Sequence, residues 1–435
     1  MIRRTLLLAA LTPLLVVPVL AAQDTTAQRG VRIGLTYQPG TRPGVVVLPV
    51  NGANGDSVRA ILQRDLGFGD RVEIIGGEGS TVADVARQQG STMNYPLWKQ
   101  LGALAIVQAT VTANGVRVAV HDVAAAGVLN ARDFTLPSTG LSDAWRMALH
   151  GVSDEIERWI TGTRGAAQTR VAFIRGGRVY VVDSDGHGER VITDAGTALS
   201  PAWHPSGRSI AYSTFGPRGT QIVVRDVQGG NSRVASARAG LNITPEFSPD
   251  GALLVWAHGE ESGADLVAAQ YPGGGDARRI TIGRGSDNVS PSFSPDGRRL
   301  AFTSNRAGHP EIYTADVDGA NVELLTTYLA GDQSYRSNPA WSPDGRVVAF
   351  QSQVAGRFQI MTISLRDRSM KQLTSEGINE DPAWAPDGRH LVFTSTRTGT
   401  KQLFVLDVET GRARQLTRSG GARLAAWSRV LDRTP

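Results

Sequence analysis

The chain of 435 residues contains no cysteine. That excludes disulfides, thiolate metal sites and a cysteine nucleophile. It also excludes a bacterial lipid anchor, which needs a cysteine at the cleavage point. Aromatic residues are sparse at 6%, and neither charge sign dominates, since 45 Lys and Arg face 40 Asp and Glu. The charges are interspersed, whereas a nucleic-acid binder masses its cations on one stretch or face, so nucleic acid is not an expected partner. No Gly-x-Ser-x-Gly elbow is present; the nearest string, Gly230-Asn231-Ser232-Arg233-Val234, lacks the second glycine. Gly76-Gly77-Glu78-Gly79 reads as a turn, not as a phosphate-cradling loop. The seven histidines are scattered without metal-ligand spacing. The expectation is a protein that is not an enzyme and needs no cofactor and no metal.

One long apolar run exists, at the start. Arg3 and Arg4 precede Leu6–Leu20, and small residues follow at Ala21-Ala22. The run is shorter than the ~20 residues that span a bilayer and is broken by Pro13 and Pro18. Residues 1–22 therefore read as a signal peptide cleaved after Ala21 or Ala22, and the rest as an exported protein. Loss of Arg3 and Arg4 would bring the formal charge from +5 to +3. No later segment is apolar enough to span a membrane, so membrane association is expected to be indirect.

Glycine is abundant at 50 residues and proline adds 21, which implies many turns. They follow a period. The string Pro-x-aromatic-x-Pro-(Asp/Ser)-Gly occurs at Pro201–Gly207, Pro245–Gly251, Pro291–Gly297, Pro339–Gly345 and Pro382–Gly388, and a degenerate copy is Ala425-Ala426-Trp427-Ser428. The aromatic residues Trp203, Phe247, Phe293, Trp341, Trp384 and Trp427 stand 43 to 48 residues apart. Around Phe293, one strand precedes the turn and three follow: Arg299–Ser304, Glu311–Asp316 and Asn321–Thr326. Four strands in ~45 residues make one propeller blade. The later half of the unit occurs six times, and its first copy, from Thr169, has no Pro-x-aromatic strand before it. The strand left over at the far end completes that blade and closes the ring, which fixes six blades.

Residues 31–160 lack this repeat. Strands are expected at Val31–Leu35, Gly44–Val50, Val72–Ile75, Ala105–Val111 and Val116–Val120, and helices at Ser57–Leu66, Tyr95–Leu101 and Leu141–Ile160. The last helix carries an acidic patch, Asp154, Glu155 and Glu157. The predicted fold is a small α/β N-terminal domain followed by an all-β six-bladed β-propeller closed by the C-terminal strand. The expected boundaries are 23–30 for a mobile N-terminal arm, 31–160 for the α/β domain, 161–168 for a linker and 169–435 for the propeller.

Features that recur in every blade are architecture. Asp183, Asp226, Asp316 and Asp407 share one turn position and are expected to serve turn amides, as His204 is at another turn. Asp183-Ser184-Asp185-Gly186 and Asp316-Val317-Asp318-Gly319 lack the distal ligands of a calcium loop and read as turns. What varies is the connection from each fourth strand to the next blade. It is longest from Thr327 to Asn338 and carries Tyr328, Tyr335, Arg336 and Asn338; Tyr and Arg are favoured at interface hot spots. Equivalent loops carry Leu241, Asn242, Asn288 and Asn379. These loops gather at one mouth of the central channel, where a partner protein is expected.

The export signal, the α/β domain, the Ser-Pro-Asp-Gly propeller and the junction strings Ser153-Asp154-Glu155, Thr161-Gly162 and Thr169-Arg170-Val171-Ala172-Phe173 together resemble the TolB family, the periplasmic component of the Tol–Pal system. The resemblance implies a periplasmic, non-catalytic monomer that binds the peptidoglycan-associated lipoprotein Pal through the propeller and supports outer-membrane integrity and constriction at cell division. It implies Pal-facing positions at Leu241, Asn242, Thr244, Val289 and Ser290. It also implies an arm, about Gln23–Tyr37 and including Val31, Arg32 and Ile33, that communicates with the inner-membrane protein TolA. From the residues alone, a propeller binding cell-wall material and a channel-centred hydrolase stay open.

Overall fold

Alternation along one short strand sets the first layers. In Gly44–Val47, Val45 and Val47 join the core under the two long helices, while Val46 and the following Leu48 pack on the opposite face with Ala86 and Trp98. The α/β domain runs β1 (Gly44–Val47), α1 (Gly55–Phe68), β2 (Glu73–Ile74), α2 (Thr81–Gln88), α3 (Tyr95–Gln100), β3 (Ala105–Thr112), β4 (Gly115–Asp122), β5 (Gly127–Thr135) and α4 (Asp143–Thr161). The sheet order is β2-β1-β3-β4-β5, with β1 parallel to both neighbours and the rest antiparallel. The computed structural model describes Leu35 and residues 41–76, 80–88, 92–137, 140–194, 196–273, 276–283, 285–326 and 334–431. The signal segment, the arm with Val31, Arg32 and Ile33, and Tyr328 lie outside them.

Helix α1 buries Val58, Ile61, Leu62 and Leu66 at helical spacing. Ser142 caps α4, its Oγ accepting from Trp145 N at 3.2 Å. Gly162 ends the helix at φ +81°, a conformation that costs a glycine little. Two sequence expectations change here. Strand β5 was not foreseen, because it is an edge strand with an exposed Val128 and charged residues that blur its alternation. The acidic patch on α4 is divided: Asp154 and Glu157 are buried, while Glu155 points elsewhere and pairs with Arg158.

Six four-stranded antiparallel sheets form the propeller. Blade 1 takes Arg423–Trp427 from the far end of the chain and Arg170–Arg175, Arg178–Asp183 and Arg190–Val191 from its start. Trp427 pairs with Val171 and Ala426 with Ala172; Ser428 N donates to Arg170 O at 2.8 Å, and Arg170 N returns a bond to Ser428 Oγ at 2.9 Å. Blades 2 to 6 begin with Leu199–Trp203, Leu241–Phe247, Asn288–Phe293, Arg336–Trp341 and Asn379–Trp384. Each second strand places an aromatic residue at one position, Phe173, Tyr212, Trp256, Phe302, Phe350 and Phe393, all buried between blades. The fourth strands are shorter than expected: in blade 4 only Glu323–Leu324 pairs, not Asn321–Thr326.

Candidate functional site

Antiparallel strands give each blade two ends. One carries the Ser-Pro-Asp-Gly turns; the other carries the connections between blades and the hairpins joining second and third strands. The second end is the expected mouth. There Leu241 and Tyr335 are about half exposed, at 50% and 42%, and Phe215, Ile282 and Ile378 add exposed apolar surface. The ring of Tyr335 packs edge-on against Phe358 at 5.3 Å, which fixes its direction.

The other expected contact residues divide by burial. Asn242, Asn288 and Asn379 are fully buried. Asn242 donates to Thr220 O at 2.7 Å and Arg238 O at 2.8 Å, Asn288 to Asp265 Oδ1 at 3.0 Å, and Asn379 to Gln359 Oε1 at 2.8 Å. They bind the connecting loops to their own blades and offer no side chain to a partner. Arg336 is also buried, its Nη1 3.0 Å from Glu311 Oε2, a carboxylate with no exposure. Both features escape a reading by residue type, since the partners other than Arg238 stand 20 to 25 residues away in sequence. Val289 packs against the core between blades 3 and 4.

Thr244, Ser290 and Asn338 belong to a ring. Ser200, Thr244, Ser290, Asn338, Asp381 and Leu424 each stand three residues before the repeat aromatic, and all have positive φ between 48° and 54°. Each lies at a register shift of its first strand, as β-bulges do. Side chains link blade to blade: Ser290 N donates to Thr244 Oγ1 at 3.1 Å, Ser290 Oγ to Asn338 Oδ1 at 2.9 Å, Asn338 Nδ2 to Asp381 Oδ1 at 2.8 Å, and Leu424 N to Asp381 Oδ2 at 3.4 Å. Burial raises the pKa of Asp381 and pushes Glu246, where other blades have Ala or Ser, up to about 8. The six ring residues include no histidine, and burial shifts both Asp381 and the neighbouring Glu246 upward.

The turn end meets the α/β domain, through contacts of blades 1 and 6. Asp185 receives Arg64 at 2.7 Å and Arg146 at 2.8 Å; Asp70 receives Arg412 at 2.6 Å. Arg71 lies between Glu157 at 3.1 Å and Asp387 at 3.8 Å, and the Arg414 guanidinium covers the Phe68 ring at 4.1 Å. His150 Nδ1 is 2.7 Å from Asp65 and its Nε2 3.9 Å from Asp185. His390 Nδ1 is 2.7 Å from Asp387 and its Nε2 3.7 Å from Asp70. A cavity of about 30 Å³, room for water, lies among Asp65, Glu157, Asp185, Asp387, His390 and Arg414. The clusters Asp65–His150–Asp185 and Asp70–His390–Asp407 have donor atoms close enough for a cation. Guanidiniums already hold Asp185, Asp70 and Asp407, the last by Arg389 at 2.7 Å, so these are ion-pair networks.

The expected turn roles hold in part. Asp226 accepts from Gln228 N at 2.7 Å and Asp407 from Glu409 N at 2.9 Å, but Asp183 pairs with Arg170 at 2.8 Å and Asp316 takes Asn321 at 2.6 Å. His204 accepts from Ser206 N at 3.2 Å, as a turn residue would. Asp185, read from sequence as a turn acid, also accepts His187 N at 2.9 Å, yet its second oxygen anchors the seam. The seam gave no local signal, since the pair Arg389-His390 after the blade 6 turn stands where blade 4 has Arg298-Arg299 and blade 2 has Arg208-Ser209.

An α/β domain joined to a closed six-bladed propeller of Ser-Pro-Asp-Gly units defines the class. Residues 157–431 match the family described as the TolB beta propeller domain, and the chain belongs to that family. It is 34% identical over 163 residues to the Tol-Pal system protein TolB of Histophilus somni (strain 129Pt), covering 34% of this chain and 37% of that protein. It is 30% identical over 217 residues to that of Actinobacillus succinogenes, covering 47% and 50%. The chain thus spans half or less of the length of these curated relatives. The crystal structure of TolB from Acinetobacter baumannii superposes with a TM-score of 0.77 at 23% identity over 92% of this chain and 100% of that one, a likeness of fold.

Proposed function

We propose that the chain is a periplasmic, non-catalytic scaffold of a Tol–Pal-like system, whose propeller mouth binds a Pal-like peptidoglycan-associated lipoprotein. The observation that carries this reading is the exposed apolar set Phe215, Leu241, Ile282, Tyr335 and Ile378 at the end of the ring away from the α/β domain. Exposed apolar residues grouped on one face of a soluble domain mark interaction surfaces. The designation of the relatives as Tol-Pal system proteins supports this choice of partner class. In this reading the arm 23–30, with Val31, Arg32 and Ile33, meets a TolA-like inner-membrane protein, and the assembly supports outer-membrane integrity and constriction at division. Asn242, Asn288, Asn379 and Arg336 shape the mouth from within, while Leu241 and Tyr335 touch the partner, with Thr244, Ser290 and Asn338 lining the channel below.

The test is calorimetric titration of the mature protein with the soluble domain of that lipoprotein from the same organism. Tyr335→Ala and Leu241→Asp are expected to weaken binding about tenfold or more, equivalent to ~1.4 kcal/mol each, with melting temperatures unchanged. Unchanged affinity in both variants would remove the mouth as the site.

A further inference from the structure

The seam between the domains shares two imidazoles reciprocally. His150 sits on α4 beside Asp65 of its own domain with its Nε2 3.9 Å from Asp185 of blade 1; His390 sits in blade 6 beside Asp387 with its Nε2 3.7 Å from Asp70 of the α/β domain, ion-pair distances longer than a hydrogen bond. Both rings are buried. A neutral imidazole has one N–H donor, and the imidazolium has two. Only the protonated ring can therefore face carboxylates from both nitrogens without setting a lone pair against an anion.

We propose that this seam is a proton-controlled latch, closed when His150 and His390 are imidazolium bridges between the α/β domain and the propeller, and released when they lose those protons. The surroundings of each ring support the assignment. Facing His150 are Asp65 and Arg64 from α1, Arg146 from its own helix, Asp183 and Asp185 from blade 1, and Arg414 from blade 6. Facing His390 are Asp387 and Arg389 from its own turn, Asp407 and Arg412 from the next turn, Asp70 and Arg71 from the segment after α1, and Glu157 from α4. Burial alone would lower both imidazoles, but Asp65 and Asp185 raise His150, and Asp387 and Asp70 raise His390 to about 9.

The neighbouring acids act in the same direction. Burial pushes Glu157 up to about 8 and Asp154 to about 7. Gly69 and Gly165 each leave just the room that the Glu157 carboxyl occupies, since a Cβ on either would collide with it. A group whose pKa is raised by docking binds protons more tightly in the docked state, so docking weakens as pH rises through that pKa. The His390 contribution is complete below its ordinary 6.5 and lost through about 9, and Glu157 ionises over the same interval beside Asp387. The arginine pairs of Asp185 and Asp70 also cross the seam, so the change is a loosening set by the two rings and by Glu157.

The absence of cysteine permits a direct test in the full mature chain. Arg117→Cys on the α/β domain and Arg346→Cys on blade 5 are exposed positions; spin labels there report the interdomain distance by double electron–electron resonance. The expected distribution is narrow from pH 5.5 to 7 and broadens through pH 8 to 9.5, reversibly. A His150→Gln/His390→Gln variant should be broad at every pH, and Glu157→Gln should shift the wild-type midpoint upward. A wild-type distribution that stays the same from pH 5.5 to 9.5 overturns the latch, as does a double variant that keeps the wild-type midpoint. Should the double variant not fold, the wild-type profile and the Glu157→Gln shift decide.

Discussion

Two differences in the blade 6 turn meet at His390, a histidine at a position where blades 2 to 5 have none and a missing serine hydroxyl. In blades 3, 4 and 5 the serine of Ser-Pro-Asp-Gly donates to the aspartate two residues on, with Ser248–Asp250, Ser294–Asp296 and Ser342–Asp344 at 2.5, 2.6 and 2.6 Å. Blade 6 has Ala385 instead, and Asp387 turns its second oxygen to His390 at 2.7 Å. The Ala385→Ser substitution should give Asp387 a further donor at Oδ1, weaken its pull on His390 and lower the pKa of the ring, which an NMR titration of the ring nitrogens would read. No change in that pKa would show that Asp387 holds the ring regardless of the turn. Burial alone would raise Asp387, but His390 pulls it down to about 2. Its stabilising share is therefore present above pH 3.8 and disappears as pH falls through 2. Arg336 teaches a different lesson. Its residue type suggests a hot spot, but its charge answers buried Glu311, 25 positions earlier, a pairing that spacing does not reveal. Arg336→Ala should cost about 3–5 kcal/mol in denaturant unfolding, because it strands a buried carboxylate. A Glu311→Leu/Arg336→Met pair should recover much of that loss.

At the scale of elements, the blades were legible because each repeats the same turn residues and the same buried aromatic. The ring closure was legible from the mismatch between half-unit counts. The bulge ring was not, since Ser200, Thr244, Ser290, Asn338, Asp381 and Leu424 share a backbone conformation and no chemical type. The junction from α4 to blade 1 is firmer than its composition suggests. Asp154 accepts from Ala167 N at 2.6 Å and Gln168 N at 3.0 Å, while Trp427 Nε1 donates to Thr169 Oγ1 at 2.8 Å. Closure gives the clearest prediction. Truncation before Gly421 removes the strand Arg423–Trp427 and leaves blade 1 with an unpaired edge. The truncated chain should lose its cooperative thermal transition in circular dichroism. Retention of the wild-type transition would mean that the ring does not depend on its closing strand.

The whole molecule has two working ends. Its turn end is committed to the α/β domain through Asp185, Asp70, Asp387 and their arginines, contacts that join residues far apart in sequence and so left no local pattern to read. Its mouth end is free of that domain and carries the exposed Leu241, Tyr335 and Ile378, whereas Asn242, Asn288, Asn379 and Arg336, expected at the same loops from residue type, are buried. The most direct measurement places a photo-crosslinking amino acid at Tyr335, at Ile378 and, on the turn end, at Arg346 in the mature protein. Irradiation with the soluble lipoprotein domain should give a cross-linked product from Tyr335 and Ile378 and none from Arg346. A product from Arg346 alone would contradict the assignment of the mouth as the partner-binding end.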